Sequence, residues 1–351
     1  PLTTIPANPD RQDLVHLLGL ESETERNELY QQAYKVKLAE VGRKVYFRGI
    51  VEFSNVCTKN CYYCGIRRDN REVDRFTMTD DEVMDCIQAA HLYRYGSVVL
   101  QSGERTNAAF VERVETLVRR IKEIGDGELG ITLSLGEQSI ETLQRWFDAG
   151  AHRYLLRIES SNPDLYHSLH PDDHDFRQRL DCIENLRTIG YQVGTGVMIG
   201  LPGQILEDLA NDILFFKDHD IDMIGMGPYI VHHNTPLADK MPDFDPARQL
   251  RLGLNMIAAT PLFLRDVNIA ATTALQALDP KGREMGLQAG ANIIMPNITH
   301  TRYRNGYQLY DNKPCLDENA GMCRFCLDKR IDTIGEEVGY GEWGDSPHFL
   351  K

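Results

Sequence analysis

After about residue 44 the chain alternates short β-rich apolar runs with longer stretches whose apolar residues recur at helical spacing. The runs are VYFRGIVEF (45–53), SVVLQ (97–101), GITLSL (130–135) and HRYLLRIE (152–159). They continue with QVGTGVMI (192–199), MIGMG (223–227), VNIAA (267–271) and NIIMP (292–296). Between them lie amphipathic segments such as DDEVMDCIQAAHLYR, which opens at Thr79 with Glu82 three residues on, a capping-box pattern. Each crossover is long enough for a helix, so neighbouring strands are expected to run parallel. Eight such units predict an α/β protein with a (β/α)8 TIM-type barrel over residues 44–300; an open doubly wound sheet is the alternative. Residues 1–43 read as an N-terminal helical extension, with Leu29, Tyr30, Ala33 and Val36 as its apolar face. Residues 301–351 form a polar, Gly-rich C-terminal segment.

Composition narrows the context. The chain has 351 residues, 42% of them hydrophobic, enough for a large core in one barrel. A net charge of -14 without any Lys/Arg run argues against a nucleic-acid partner. No apolar stretch approaches the ~20 residues of a membrane span, and PLTTIPANPDRQDL does not read as a signal peptide. Six of the eight cysteines fall in two groups of three, which suits metal handling in a reducing cytoplasm better than a disulfide framework.

The first group is CTKNCYYCG, with Cys57, Cys61 and Cys64 directly after the first strand. That position is the C-terminal mouth of a barrel, the functional end of the fold. Soft thiolates select iron–sulfur clusters, zinc or Cu(I). A cubane takes four ligands, so three close cysteines leave one iron open. Zinc would require a fourth ligand, from the distant Cys86 or Cys182, both of which also fit helical core faces as structural thiols. The second group, Cys315, Cys323 and Cys326, suits a second iron–sulfur cluster ([2Fe-2S] or [4Fe-4S]) or zinc, and its place beyond the eighth strand puts it far from the first trio. His232 and His233 are adjacent on a strand end and point apart, which favours loop packing over a metal pair.

CxxxCxxC with the aromatic Tyr63 before its third cysteine resembles the signature of the radical S-adenosylmethionine (SAM) superfamily. The segments VLQSGE, TLSLGE, RYLLRIESSNP, GVMIGLPGQ and AATTALQALDP, each at a strand end, narrow the resemblance. Together with the CxxxxxxxCxxC spacing of the tail they resemble the radical-SAM maturases of [FeFe]-hydrogenase, the HydE family, over most of residues 45–330. Biotin synthase and methylornithine synthase share the barrel and the first motif, but the extra barrel cysteines of biotin synthase have no clear counterparts.

The resemblance implies a [4Fe-4S] cluster on Cys57, Cys61 and Cys64 whose open iron chelates SAM. Reductive cleavage of SAM then gives a 5′-deoxyadenosyl radical that abstracts a substrate hydrogen. It implies cofactor contacts from Tyr63, Gln101, Ser102, Glu104, Ser134, Glu159, Arg179 and Met198, with Gly196, Gly200 and Gly203 beside the adenine. Arg179 would meet the SAM carboxylate. Arg153 and Arg157 alternate on one strand and so share a face; in the family such arginines hold the carboxylate of a cysteine-derived ligand. Thr132, Thr272, Thr273, Gln101 and Met295 would complete the substrate wall. The implied substrate is a small molecule or organometallic iron precursor. The implied partners are a tyrosine-cleaving radical-SAM maturase, a GTPase scaffold maturase and a reductant such as a ferredoxin. A radical-SAM enzyme acting on a small amino-acid-like substrate, or a non-enzymatic iron–sulfur scaffold, are the competing readings.

Overall fold

A computed structural model describes residues 6, 9–318 and 320–351, and their side chains apart from residues 320, 322 and 323. Eight short parallel strands follow one another around the core. They are Lys44–Ser54, Ser97–Ser102, Gly130–Ser134, Arg153–Leu155, Gln192–Thr195, Met223–Ile224, Asn268–Ile269 and Ile293–Ile294. The eighth returns to the first through Tyr46 opposite Ile293. The seventh meets the eighth at a parallel Ala270–Ile293 bridge, supported by Ala271 N–H to Ile293 O and Asn292 N–H to Ile269 O, both 2.9 Å. The sheet therefore closes on itself as a (β/α)8 barrel, and closure removes its edges.

Several barrel strands are shorter than their apolar runs. Run 152–159 leaves the ladder after Leu155, and run 192–199 after Thr195. At Gly196 an added Cβ would collide with the carbonyl of Gly225, so two glycines bring these strand ends into close approach. The chains then diverge, and Met198–Ile199 pairs with Gly227–Pro228 in a separate ribbon at the mouth.

The outer helices form as their caps dictate. Thr79 Oγ1 accepts the N–H of Glu82 (3.2 Å), and Glu82 returns a carboxylate oxygen to the N–H of Thr79 (2.8 Å), which opens the helix Asp80–Leu92. The N-terminal helix Glu23–Glu40 buries Leu29 and Ala33 and packs on the long helix Pro246–Leu264, where Tyr30 OH donates to Asn255 (2.8 Å). Each fully buried leucine contributes about 1.5–3 kcal/mol to such contacts.

The C-terminal segment joins both ends of the barrel. Residues 301–318 fold back over the mouth, fixed by Arg304, whose guanidinium donates to the carbonyls of Thr299, Cys315 and Glu318. The end of the chain lies under the opposite face. Glu337–Val338 pairs with the start of the first strand, and the Gly344 carbonyl accepts from Arg48 (3.0 Å) and Asn268 (2.8 Å). Among the described residues no helix is long and apolar enough to cross a membrane.

Candidate active site

The loop carrying the first three cysteines leaves the first strand at Ser54 and is held from several sides. Asn55 Nδ2 donates to the carbonyls of Asp74 and Gly306, both 2.8 Å, while its Oδ1 accepts the N–H of Phe76 (2.7 Å). The Arg75 guanidinium reaches the carbonyls of Asn55, Ile66, Arg67 and Asn70 and so braces the far side of the loop. At the second strand end Gly103 admits the loop backbone; an added Cβ there would collide with Val56 O and come within 2.7 Å of Cys57 Cβ. Two histidines, His170 and His174, support it from below. Tyr63 OH donates to His170 Nε2 (3.2 Å), whose Nδ1–H is committed to Tyr166 O (2.7 Å), and Asn60 N–H donates to His174 Nε2 (3.3 Å).

Beside this loop lies a cavity of about 230 Å³. Tyr63, Cys64, Gln101, Ser134, Glu159 and Met198 form part of its wall, so these proposed cofactor contacts converge. So do Arg157, Thr272, Thr273 and Met295 from the proposed substrate set. Glu159 has a φ of +64°, a left-handed conformation rare for a non-glycine residue and characteristic of sites under constraint. Its carboxylate accepts two N–H groups of Arg157, at 3.2 and 3.1 Å.

Other residues of those sets stand behind or below this wall. Ser102 Oγ donates to the adjacent Gly103 carbonyl (2.8 Å). Glu104 accepts the N–H of Glu137 (2.8 Å) and faces Lys59 at 3.6 Å. Arg179 ion-pairs with Glu137 and donates to the Arg157 carbonyl (2.6 Å), so its guanidinium braces the fourth strand end from outside the cavity. Burial raises the Glu104 carboxyl above its ordinary range, whereas the Arg179 guanidinium and Lys59 hold the buried Glu137 below it.

Arg153 departs from expectation. Four residues before Arg157 it lies at the barrel bottom, fully buried, where it donates to Thr132 Oγ1 (2.9 Å), Trp343 O (3.0 Å) and Asp345 (2.6 Å). The strand ends at Leu155, so period-two alternation does not carry from one arginine to the other at a common height. Thr132 goes with it, into a smaller lower pocket that also touches Arg48. Neither residue lines the upper cavity.

The tail cysteines also depart from expectation. Cys315 lines the same cavity as Cys64, because residues 301–318 cross the mouth; the expected separation of the two trios fails there. Cys326 is exposed on the helix Ala320–Thr333, and the side chain of Cys323 lies outside the described residues. Cys86 and Cys182 are buried on helix faces. His233 Nδ1 lies 2.8 Å from Asp311, and His232 lies 4.0 Å from it. Asn234 N–H donates to His232 Nδ1 (3.2 Å), which leaves the proton of a neutral ring on Nε2, the atom that faces Asp311. The two rings do not point apart as expected but stack, with centroids 4.9 Å apart and both facing Asp311; the His232 tautomer is what favours packing over ligation.

Sequence reasoning missed a buried network in the wall. Glu52 ion-pairs with Lys313 and accepts from Asn297 Nδ2 (3.1 Å), while Lys313 also donates to Tyr307 O (2.9 Å). Arg283 and Tyr310 were missed too, and both line the cavity. A Glu inside the otherwise apolar first run, IVEF, was the one available signal.

The cysteine loop suits an iron–sulfur cluster. Among the described residues the trio His232, His233 and Asp311 is the one set of His, Cys, Asp or Glu ligand atoms lying within 4.8 Å of one another. The three cysteine sulfurs are therefore spread more widely than the roughly 3.8 Å edges of a zinc–thiolate tetrahedron. Burial pushes the Cys61 thiol up to about 12 and raises Cys57 and Cys64 as well, so these thiols give up their protons only to a cationic centre. Glu104 N–H points at Cys57 Sγ (3.3 Å), the kind of amide–sulfur contact that tunes such clusters.

The chain is similar to known proteins along most of its length. Residues 51–216 match the family model of the Radical SAM superfamily. The chain is 43% identical over 335 residues to the [FeFe] hydrogenase maturase subunit HydE of Thermotoga maritima, covering 95% of this chain and 93% of that one. It is 26% identical over 327 residues to the 3-methylornithine synthase of Methanosarcina acetivorans, covering 93% and 89%. The crystal structure of methylornithine synthase (PylB) superposes with a TM-score of 0.81 over 95% of both chains at 23% identity, a likeness of fold. The chain belongs to the HydE family of radical-SAM enzymes that mature [FeFe]-hydrogenase.

Proposed function

We propose that Cys57, Cys61 and Cys64 hold a [4Fe-4S] cluster and that SAM lies against Tyr63, Gln101, Ser134, Glu159 and Met198. The substrate is a cysteine-derived organometallic iron precursor in the remaining space beside Arg157, Thr272, Thr273 and Met295. Bound together, cluster and SAM supply a 5′-deoxyadenosyl radical by one-electron cleavage. The chain's own residues do the rest. The cysteine loop and residues 301–318 close the cavity against water, which a primary radical requires. Arg157 holds the Glu159 carboxylate in one orientation. Lys313 pairs with Glu52, so that no loose carboxylate competes for the substrate metal.

The observation that carries this reading is convergence: Cys64, the pair Arg157 and Glu159, and Thr272 come from three separate segments onto one cavity. In a maturation system the precursor would come from a tyrosine-cleaving radical-SAM maturase and the product would pass to a GTPase scaffold. A ferredoxin-type reductant and a reducing cytoplasm fit the free thiols of the described cysteines. The test is anaerobic: reconstituted protein with SAM and dithionite should release 5′-deoxyadenosine and methionine. Cys57→Ser, Cys61→Ser and Cys64→Ser should each abolish that release. Full turnover in any of the three would overturn the proposal, and a non-enzymatic cluster carrier would show no cleavage at all.

A further inference from the structure

The stretch YHSLHPDDH (166–174) meets the cysteine loop at three points. Tyr62 N–H donates to Leu169 O (2.9 Å), Asn60 N–H to His174 Nε2 (3.3 Å), and Tyr63 OH to His170 Nε2 (3.2 Å). The first two fix the loop backbone independently of the third. His170 is only 2% exposed, and its Nδ1 lies 2.7 Å from the Tyr166 carbonyl oxygen, so Nδ1 carries the ring proton. Burial pulls its pKa down to about 3, which leaves the ring neutral. Nε2 is therefore a bare acceptor, and the Tyr63 hydroxyl is the donor that meets it.

The same hydroxyl reaches a second acceptor. Burial dominates at the Cys61 thiol, and the Arg179 charge and a hydrogen bond from Tyr63 oppose it. One phenolic proton thus stands between an imidazole nitrogen and a cysteine sulfur. A donor on a cluster sulfur stabilises the electron-rich reduced state and so raises the reduction potential. One-electron cleavage of a sulfonium asks for the opposite, a strongly reducing cluster. We infer that His170 is a positioning residue that draws the Tyr63 hydroxyl away from Cys61 and so keeps the cluster strongly reducing. This rests on reading Cys57, Cys61 and Cys64 as the cluster ligands, and it adds a residue behind the cavity wall that tunes what they hold.

The test is an EPR-monitored redox titration of the reconstituted protein without SAM. His170→Asn keeps a donor for the Tyr166 carbonyl but is too short to accept from Tyr63. It should favour the reduced cluster by about threefold to tenfold, which at tenfold is an upward shift of about 59 mV for one electron. His170→Gln places an amide oxygen near the lost nitrogen and should return the potential toward wild type. Removing the hydroxyl as well, by combining His170→Asn with Tyr63→Phe, should also restore it, which a general loosening of the loop would not do. An unshifted potential in His170→Asn, or a shift that survives in the double variant, overturns the inference. Tyr63→Phe alone gives a readout that needs no change at His170. Its potential should match wild type, and a fall there would show that the hydroxyl already serves Cys61, which also overturns the inference. Wild-type protein that assembles no four-iron cluster would refute the proposed function and this inference with it. A cluster that forms and cleaves SAM, with an unshifted potential in His170→Asn, refutes the inference alone.

Discussion

Arg157 donates Nε and Nη2 to the same oxygen of Glu159, two residues further along the chain, at 3.2 and 3.1 Å. Nη2 also reaches the carbonyl of Val197 (2.9 Å), so one guanidinium ties the fourth strand end to the ribbon beside it. With Arg157 removed, Glu159 keeps its left-handed backbone but loses the contact that orients its carboxylate. The pair is about a third exposed on the arginine side, which places its worth toward the lower end of charge-assisted hydrogen bonds. Arg157→Ala should therefore weaken SAM binding about tenfold, and Arg157→Lys, which keeps charge without the two-point grip, should lie between. Calorimetric titration with SAM checks this. Unchanged SAM affinity in Arg157→Ala would mean that Glu159 orients itself.

Gly103 is the point where the second strand end meets the cysteine loop. An alanine Cβ there would meet Val56 O and Cys57 Cβ, backbone and near-backbone atoms that cannot move aside as a flexible side chain can. Gly103→Ala should displace Cys57 and the Glu104 N–H that faces its sulfur. The expected result is protein that folds but retains less iron after reconstitution and shows an altered cluster EPR signal. Full iron content with an unchanged spectrum would show that the loop has slack.

Much of this was legible in the chain. Eight apolar runs gave eight strands in the expected order, and the Thr79–Glu82 cap formed as its spacing predicts. The cysteine motif lies where the first strand meets the barrel mouth. What was not legible depended on height along the barrel axis and on the path of the tail. Period two places Arg153 and Arg157 on one face, yet the strand ends between them, and the lower arginine meets Asp345 from the far end of the chain. Likewise Cys315 and Lys313 reach the cavity only because residues 301–318 fold back over it, a long-range contact that no local pattern encodes.

Asp212 makes stability depend on pH. It is fully buried; Ser161 donates its N–H (2.8 Å) and hydroxyl (2.6 Å) to one oxygen, and the other oxygen has no partner. Burial pushes its carboxyl up to about 7. An unfolded aspartate loses its proton near pH 4, so between about pH 4 and 7 the folded chain holds a proton that the unfolded chain does not. The contribution is complete below about pH 4 and is lost as pH rises through about 7, at no more than about 1.4 kcal/mol per pH unit. Asp212→Asn keeps the shape and removes the titration. Its urea midpoint should come nearest wild type below about pH 4, and its advantage should grow from there to pH 8; a difference that stays constant over that range would remove Asp212 from the pH dependence.

The tail cysteines should separate from one another. Cys315 faces the cavity, has a φ of +64°, and is fixed by Arg304 through its carbonyl (2.9 Å) while Gln276 Nε2 approaches its sulfur at 3.9 Å. Cys326 is exposed on the helix Ala320–Thr333, one turn before Arg330. A metal group shared by both would make their replacement equivalent. Different surroundings predict different outcomes instead. Cys326→Ser should lower the iron bound on reconstitution while SAM cleavage and cysteine binding stay at wild-type values, because an exposed helix face does not reach the chamber. Cys315→Ser removes a polarisable sulfur from the chamber wall and should change cysteine affinity by a few fold, about 1 kcal/mol or less, whether or not iron is lost. Iron analysis and calorimetry on the two single variants distinguish the cases. Identical losses of iron, with cysteine binding untouched in both, would place Cys315 in a peripheral metal site and take it out of the chamber.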